Sequence, residues 1–361
     1  MCEVLEKLKE TLSKHIEPKG DGLEVNDAPT IAVMVHSNPD PDCIGAAKGF
    51  EKLVKHWNQE AKVIIVYEGE ISHPQNKAMV KVLNISMTHR DEIGRDDKDL
   101  VNAADYFVVI DVMPERCDMG KIKPLMVVDH HPVDTKNAII KDIRQVGSCC
   151  TMIWDYLKKS GVEFDEKSDD DSNIATAMLI GLKTDTMDLI SDKVTDLDFE
   201  AFKNLLGIAN RTKLASIVNY PIPSYLFGLR SRLEDEGNCL SDNGLYIGGL
   251  GYIPPNKRDA LPTIAEERAR TEGIDTAFIF AIVGDRIEVC VRSNSPSVDV
   301  KTLCHQIFGK AHGGGHPRAG AVKIPIPFLL DEEMTEASMN DFWQGIRGIL
   351  IGRITKGMDR A

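Results

Sequence analysis

Three short apolar runs in the first 130 residues, at positions 30–35, 106–110 and 125–128, each stop abruptly in acid or imidazole side chains. The first gives way to His36, Ser37, Asn38, Pro39, Asp40, Pro41 and Asp42. The second ends in Asp111, and the third in Asp129, His130 and His131, closed by Pro132. Chance would scatter such residues along strands and helices. Open α/β sheets gather them, because ligands bind beyond the carboxyl ends of the strands. A helical pattern over 43–57 and another apolar run over 61–67 predict a strand–helix–strand crossover, hence parallel strands. The prolines on either side of Asp40 fix φ and keep the preceding residues extended. A loop built this way is stiff, which suits side chains that must hold a ligand.

The remaining pattern predicts two α/β layers of different size. Before the first strand, residues 1 to about 18 read as an amphipathic helix, and Pro18, Gly20, Asp21 and Gly22 as a polar loop. Helices are expected over 75–83, 149–159, 173–182 and 195–209, and the third of these ends at Lys183, Thr184, Asp185 and Thr186. The acidic run 165–171 reads as a solvated turn. Near 219–224 the composition shifts, with Pro221 and Pro223 ending a linker. Strands follow at 245–252, 276–283 and 286–292, with Gly284 and Asp285 as a hairpin turn. A helix over 299–308, the glycine-rich segment 311–320 and a strand over 321–326 complete this second domain. Residues 331–361 form a terminal helix packed on the body. The division is 1–215, a linker at 216–225, 226–330 and the terminal helix.

Length and charge narrow the function. A chain of 361 residues supports two domains, and a net charge of −13 repels long nucleic acid. A short phosphorylated substrate in a local site remains compatible, above all if cations supply the positive charge. The eight cysteines are scattered without a CxxC pair, as in a reduced cytoplasmic protein. No apolar run approaches the roughly 20 residues of a membrane span, so no membrane partner is expected, and a homodimer is allowed.

His36, Asp40, Asp42, Asp111, Asp129, His130, His131 and Asp185 make five carboxylates and three imidazoles. So many carboxylates brought together without cations would have to take up protons. Divalent ions remove that conflict, and mixed His/Asp ligation suits Mn²⁺, with Mg²⁺, Co²⁺ or Zn²⁺ as alternatives. Two ions about 3.5–4 Å apart form the clamp used for in-line displacement at phosphorus. Asp111, alone at its strand end, is the candidate bridge. Gly313, Gly314 and Gly315 before His316 allow an anion-binding nest, with Arg292 and Ser293 ending a strand of the same domain and Arg318 nearby.

HSNPDPDCIG, VVIDV, VVDHH and TDT occur in the order and at the strand ends that resemble the DHH phosphoesterases. VRS and GGGHPRAG resemble the DHHA1 domain that follows in one branch. The two-domain layout is similar to the nano-RNase (oligoribonuclease)/pAp-phosphatase group. The resemblance implies an N-terminal parallel-sheet DHH domain, a smaller C-terminal α/β DHHA1 domain that binds substrate, and an active site in the cleft between them. It implies one metal on His36, Asp40 and Asp111 and a second on Asp42, Asp111, His130 and Asp185. His131 would face the substrate phosphate, with Asp129 orienting the histidine pair. Arg292, Ser293, Gly313, Gly314, Gly315 and His316 would hold the substrate. The implied activity is two-metal phosphoester hydrolysis by a bridging hydroxide, on short oligonucleotides, linear dinucleotides such as pGpG, or pAp. Alternatives are a pyrophosphatase or short-chain exopolyphosphatase, and a cyclic dinucleotide phosphodiesterase. After TDT the chain reads Met187 and Asp188, where relatives often have small residues, and Asp188 is read as a turn residue.

Overall fold

The computed structural model describes residues 3–13, 28–94, 99, 102–117, 122–132, 135, 137–326 and 336–359. The expected loop at Pro18, Gly20, Asp21 and Gly22 lies outside them, and so do residues 1–2 and 14–18 of the first expected helix. Contacts divide the chain into two compact units, Met1–Pro221 and Ile222–Ala361.

The first unit is built on a six-stranded parallel sheet. Its strands are β1 (Thr30–Met34), β2 (Lys62–Tyr67), β3 (Thr88–His89), β4 (Tyr106–Ile110), β5 (Met126–Asp129) and β6 (Ile140–Ile143). The helices are α1 (Glu3–Ser13), α2 (Pro41–Trp57), α3 (Pro74–Val82), α4 (Arg90–Ile93), α5 (Cys149–Lys159), α6 (Asp169–Asp185), α7 (Asp196–Ile208) and α8 (Arg211–Val218). Parallel strands covered on both faces read as continuous apolar runs. Along β1, Ile31 and Val33 enter the core shared with α2, α5 and α6, while Ala32 and Met34 enter a smaller core on the opposite face.

The strand order is β3-β2-β1-β4-β5-β6. The chain therefore builds outward from β1 in one direction, returns, and continues from β4 in the other. The reversal between β1 and β4 is a topological switch point, and it opens a crevice at their carboxyl ends. Two strands do not stand out in the sequence, β3 because it has two residues and β6 because Lys141 and Asp142 interrupt its apolar pattern. The acidic run differs from expectation in its second half. Ser168 accepts from Asp171 N–H as an N-cap, and Asp169, Asp170 and Asp171 form the first turn of α6. Carboxylates there complement the helix dipole, and Asp171 also meets Lys52 at 2.5 Å.

The second unit has a mixed six-stranded sheet, ordered β11-β12-β10-β9-β8-β7. It comprises α9 (Tyr225–Arg232), β7 (Cys239–Asp242), β8 (Leu245–Ile253), α10 (Ala260–Ala269), β9 (Thr276–Val283), β10 (Arg286–Ser293), α11 (Val300–Phe308), β11 (Gly313–Gly315), β12 (Ala319–Pro325) and α12 (Glu336–Met358). β8 and β9 run parallel and the other pairs antiparallel. One face is covered by α10, the other by α11 and α12, with Trp343, Leu350 and Ile354 buried there. α10 escaped the sequence reading because Pro262 sits in its first turn, where a proline is tolerated. No described helix is long and apolar enough to cross a membrane.

One packing detail sets the position of the crevice. α2 and α6 cross where both lack side chains. A Cβ on Gly45 would lie 2.6 Å from Ala177 O, and one on Gly181 would lie 2.6 Å from Pro41 O and 2.8 Å from Asp42 Cα. Gly181→Ala must therefore displace the start of α2. We expect overpacking to lower stability by about 1–3 kcal/mol, read as an earlier urea midpoint at unchanged m-value. An unmoved midpoint would contradict this account of the crossing.

Candidate metal centre

The loop after β1 is shaped by its own prolines and carboxylates. Asp40 is the N-cap of α2, its Oδ1 accepting from Asp42 N–H (3.0 Å) and Cys43 N–H (3.1 Å). Pro41 occupies the first helical position, where a missing N–H costs nothing. Buried Asn76, unforeseen from the sequence, donates from Nδ2 to Pro39 O at 2.9 Å and ties the loop to α3. His36 Nε2 lies 3.4 Å from Asp40 and 3.9 Å from Asp111.

Asp42 is fully buried, yet both its oxygens have partners. Cys149 N–H donates to Oδ2 at 2.7 Å and Cys150 N–H to Oδ1 at 2.9 Å. These amides open α5, so the carboxylate sits at the positive end of a helix. The sequence offered no means of seeing this. At the end of β4, Asp111 takes φ 62°, the left-handed region that Asp tolerates better than most residues. Its N–H still donates to Val128 O at 2.9 Å.

His130, at the end of β5, accounts for one nitrogen with its backbone contact. Nδ1 meets Val146 O at 3.2 Å, which makes Nδ1 a donor to the backbone and leaves Nε2 as the nitrogen that faces the acids. Nε2 is buried and lacks a properly formed hydrogen bond among the described residues. It nevertheless lies 3.1 Å from Asp185, 3.5 Å from Asp111 and 3.9 Å from Asp42. Ligating histidines have this arrangement, with the far nitrogen anchored on a carbonyl. Asp129 Oδ1 accepts from both the backbone N–H and the Nδ1 of His131, each at 2.9 Å.

Among the described residues, donor atoms converge in three groups, each with all atoms within 4.8 Å: His36, Asp40, Cys43 and Asp111; Asp42, Asp111, His130 and Cys149; and Asp111, Asp129 and His131. Asp111 belongs to all three. Asp185 reaches the second group through its contact with His130. Every residue named as a metal ligand from sequence therefore lies at the crevice.

Electrostatics point the same way. Burial pushes Asp42 well above the usual carboxylate range, with Asp185 and Asp111 adding to the effect. Burial likewise raises Asp111 to about 6, Asp40 and Asp185 adding and His130 opposing. For His130 burial acts downward, but contacts with Asp111 and Asp185 and the charge of Asp42 outweigh it and lift the imidazole to about 11. Asp40 goes the other way, to about 2, because His36 outweighs the desolvation of its carboxylate. Protons thus stand in where cations would relieve the same repulsion. Two thiols border the set. Burial holds Cys43 up at about 12 and Cys149 well above its ordinary value, and Cys149 Sγ lies 3.7 Å from Asp111 Oδ1 as a donor. The lowered thiol pKa that a helix start allows at Cys149 and Cys150 is overturned by burial and by the neighbouring acids. The donor set is oxygen and imidazole, which fits hard or borderline divalent ions.

Met187, Asp188 and Leu189 all have positive φ, and Asp188 pairs with Lys183 in this turn. In the second unit, Gly313–Gly315 form an edge strand against β12 in place of a nest. A Cβ on Gly313 would meet Cys304 O at 2.9 Å, and one on Gly315 would meet Ala319 O at 2.3 Å, so close packing explains both glycines. Arg292 Nε lies 3.2 Å from Glu266. Ser293 is buried, its hydroxyl 2.8 Å from Thr276 Oγ1 and 3.2 Å from Asp275 O. His316 and Arg318 are exposed.

Comparison with known proteins bears on this arrangement. The family described as DHH family, N-terminal domain, matches residues 30–182. An uncharacterized protein of Methanocaldococcus jannaschii is 29% identical over 304 residues, 84% of this chain and 59% of that protein. A probable manganese-dependent inorganic pyrophosphatase of Lactobacillus helveticus is 28% identical over 183 residues, 49% of this chain and 54% of that protein. This chain therefore spans less than two thirds of either relative. The solved structure of an exopolyphosphatase-related protein from Bacteroides fragilis has the same fold, with a TM-score of 0.67 at 15% identity, covering 96% of this chain and 98% of that one.

Because His130 carries a proton at neutral pH and a cation at Nε2 must displace it, Mn²⁺ affinity should rise with pH. The expected slope between pH 6 and 9 is up to about tenfold per unit for each proton released. Calorimetry in buffers of different ionisation enthalpy measures it. Affinity independent of pH, with no proton release, would remove His130 from the ligand set.

Proposed function

Starting from a DHH-family N-terminal domain at residues 30–182, we propose that this protein is a metal-dependent phosphoesterase acting on short nucleotides. The observation that carries the proposal is the pair of donor groups, one containing His36 and Asp40 and the other Asp42 and His130, that share Asp111. His36, Asp40 and Asp111 would hold one divalent cation, and Asp42, Asp111, His130 and Asp185 a second, Mn²⁺ by preference. When bound, such a pair lowers the pKa of water and neutralises charge on phosphoryl oxygens during in-line displacement.

The chain's own groups supply the rest. Asp42, gripped by the first amides of α5, and Asp111, set by its left-handed backbone, cannot swing away as charge is redistributed. This is preorganisation, which spares the site any rearrangement at the moment of reaction. Asp129 engages His131 through Nδ1, so Nε2 is the atom of His131 that can donate to a phosphoryl or leaving oxygen.

A short nucleotide, as an oligonucleotide, a linear dinucleotide such as pGpG, or pAp, is the favoured substrate. The net charge of −13 disfavours long polyanions. In the second unit Arg292 is held by Glu266 alone among carboxylates in the described ion pairs, a contact that a bidentate phosphate could replace. Pyrophosphate is the second reading, favoured by the manganese-dependent pyrophosphatase relative. That likeness leaves about half of this chain unmatched.

The test is a panel of pGpG, a short RNA, pAp, a cyclic dinucleotide and pyrophosphate, each with Mn²⁺ and with product analysis. We expect kcat/KM to be highest for a linear nucleotide, with mononucleotide products, and Asp111→Asn to remove turnover of every substrate. Preference for pyrophosphate would overturn the nucleotide assignment. Hydrolysis surviving in Asp111→Asn would overturn the shared-ligand centre.

A further inference from the structure

The segment 146–150 touches two carboxylate or imidazole members of one donor group, Asp42 and His130, beside its own Cys149 thiol. Val146 O anchors His130 Nδ1, and the amides of Cys149 and Cys150 grip Asp42. Whatever fixes this segment fixes the direction of both ligands.

Asp198 is the residue in contact with it. Its carboxylate is fully buried in the first turn of α7. There it completes a capping box, Oδ2 accepting from Thr195 N–H at 2.8 Å and from the Thr195 hydroxyl at 2.7 Å. A capping residue needs no more than that. Asp198 goes further: Gly147 N–H donates to both oxygens, at 3.1 and 3.0 Å, and the Thr151 hydroxyl to Oδ1 at 2.5 Å. Gly147 is shaped to the contact, since a Cβ there would stand 2.5 Å from Thr186 Cγ2 and 2.7 Å from Asp198 Oδ1. Thr186 follows Asp185 directly, so the same knot also adjoins the third ligand of the group.

We propose that Asp198 is a positioning residue for the Asp42–His130 half of the centre. It holds residues 146–150 in place, and through them the carbonyl that orients His130 and the amides that orient Asp42. The His36–Asp40 half hangs on a different loop, braced by Asn76, and does not depend on Asp198. The inference rests on the two-cation reading of the site and assigns its two halves different supports.

Full-length protein, metal-free and then titrated with Mn²⁺, is compared as wild type, Asp198→Ala and Asp198→Asn, by calorimetry and by electron paramagnetic resonance. Asp198→Ala should weaken one of the two ions by about 10–100-fold, the range for lost outer partners of metal ligands. The other ion should bind as in wild type. At intermediate Mn²⁺ the spectrum should then change from that of a coupled pair to that of an isolated ion. Asp198→Asn keeps an acceptor for Gly147 and should recover part of the loss. A folded Asp198→Ala that binds both ions as wild type does, or loses both equally, overturns the proposal. Should Asp198→Ala fail to fold, Asp198→Asn decides by the same criterion: selective weakening of one ion supports it, and unchanged or equal weakening overturns it. A wild type that takes up no coupled pair would overturn the centre as well, which separates the two failures.

Discussion

Asp42, Asp111 and Asp185 converge on one buried imidazole nitrogen, and like charges at that range in a dry site cannot all be sustained by the chain alone. Nearly every other feature of the first unit serves to hold that repulsive arrangement together. The strand order puts β1 and β4 side by side with their carboxyl ends at the switch point. Two glycines let α2 and α6 cross closely enough to bring Asp42 and Asp185 to the same side. The start of α5 meets the fully buried Asp42 carboxylate with two N–H groups. A left-handed Asp111, costly as backbone, turns its side chain into the middle of the set.

The two units differ in the side chains they gather. The first gathers oxygen and imidazole donors, and its thiols are kept protonated by burial. The second holds guanidinium and imidazole groups on a mixed sheet, with an edge strand in which Gly313 and Gly315 leave no room for a side chain beside Cys304 and Ala319.

Much of the candidate centre was legible in the sequence because most of its residues stand at or just after strand ends, and strand ends show as a sudden change from apolar to acidic. The strands at 106–110 and 276–283 were read to the residue, as was the helix at 149–159. What could not be read depends on contacts far apart in the chain. Asp42 meets amides more than a hundred positions away, and Asp198 meets Gly147 across fifty-one. No local pattern encodes either. The glycine run is a related case: its composition suits an anion nest, and only its pairing with β12, invisible locally, gives it strand geometry. The acidic run at 165–171 held a helix start because Ser168 caps it, and α10 stayed hidden behind an early proline.

The central claim is that two cations share Asp111. Crystals grown with Mn²⁺ and measured on both sides of the manganese absorption edge test it directly. The account predicts two anomalous peaks flanking the Asp111 carboxylate, one beside His36 and Asp40 and one beside Asp42, His130 and Asp185. A single peak, or none, at full manganese occupancy elsewhere in the crystal would contradict it.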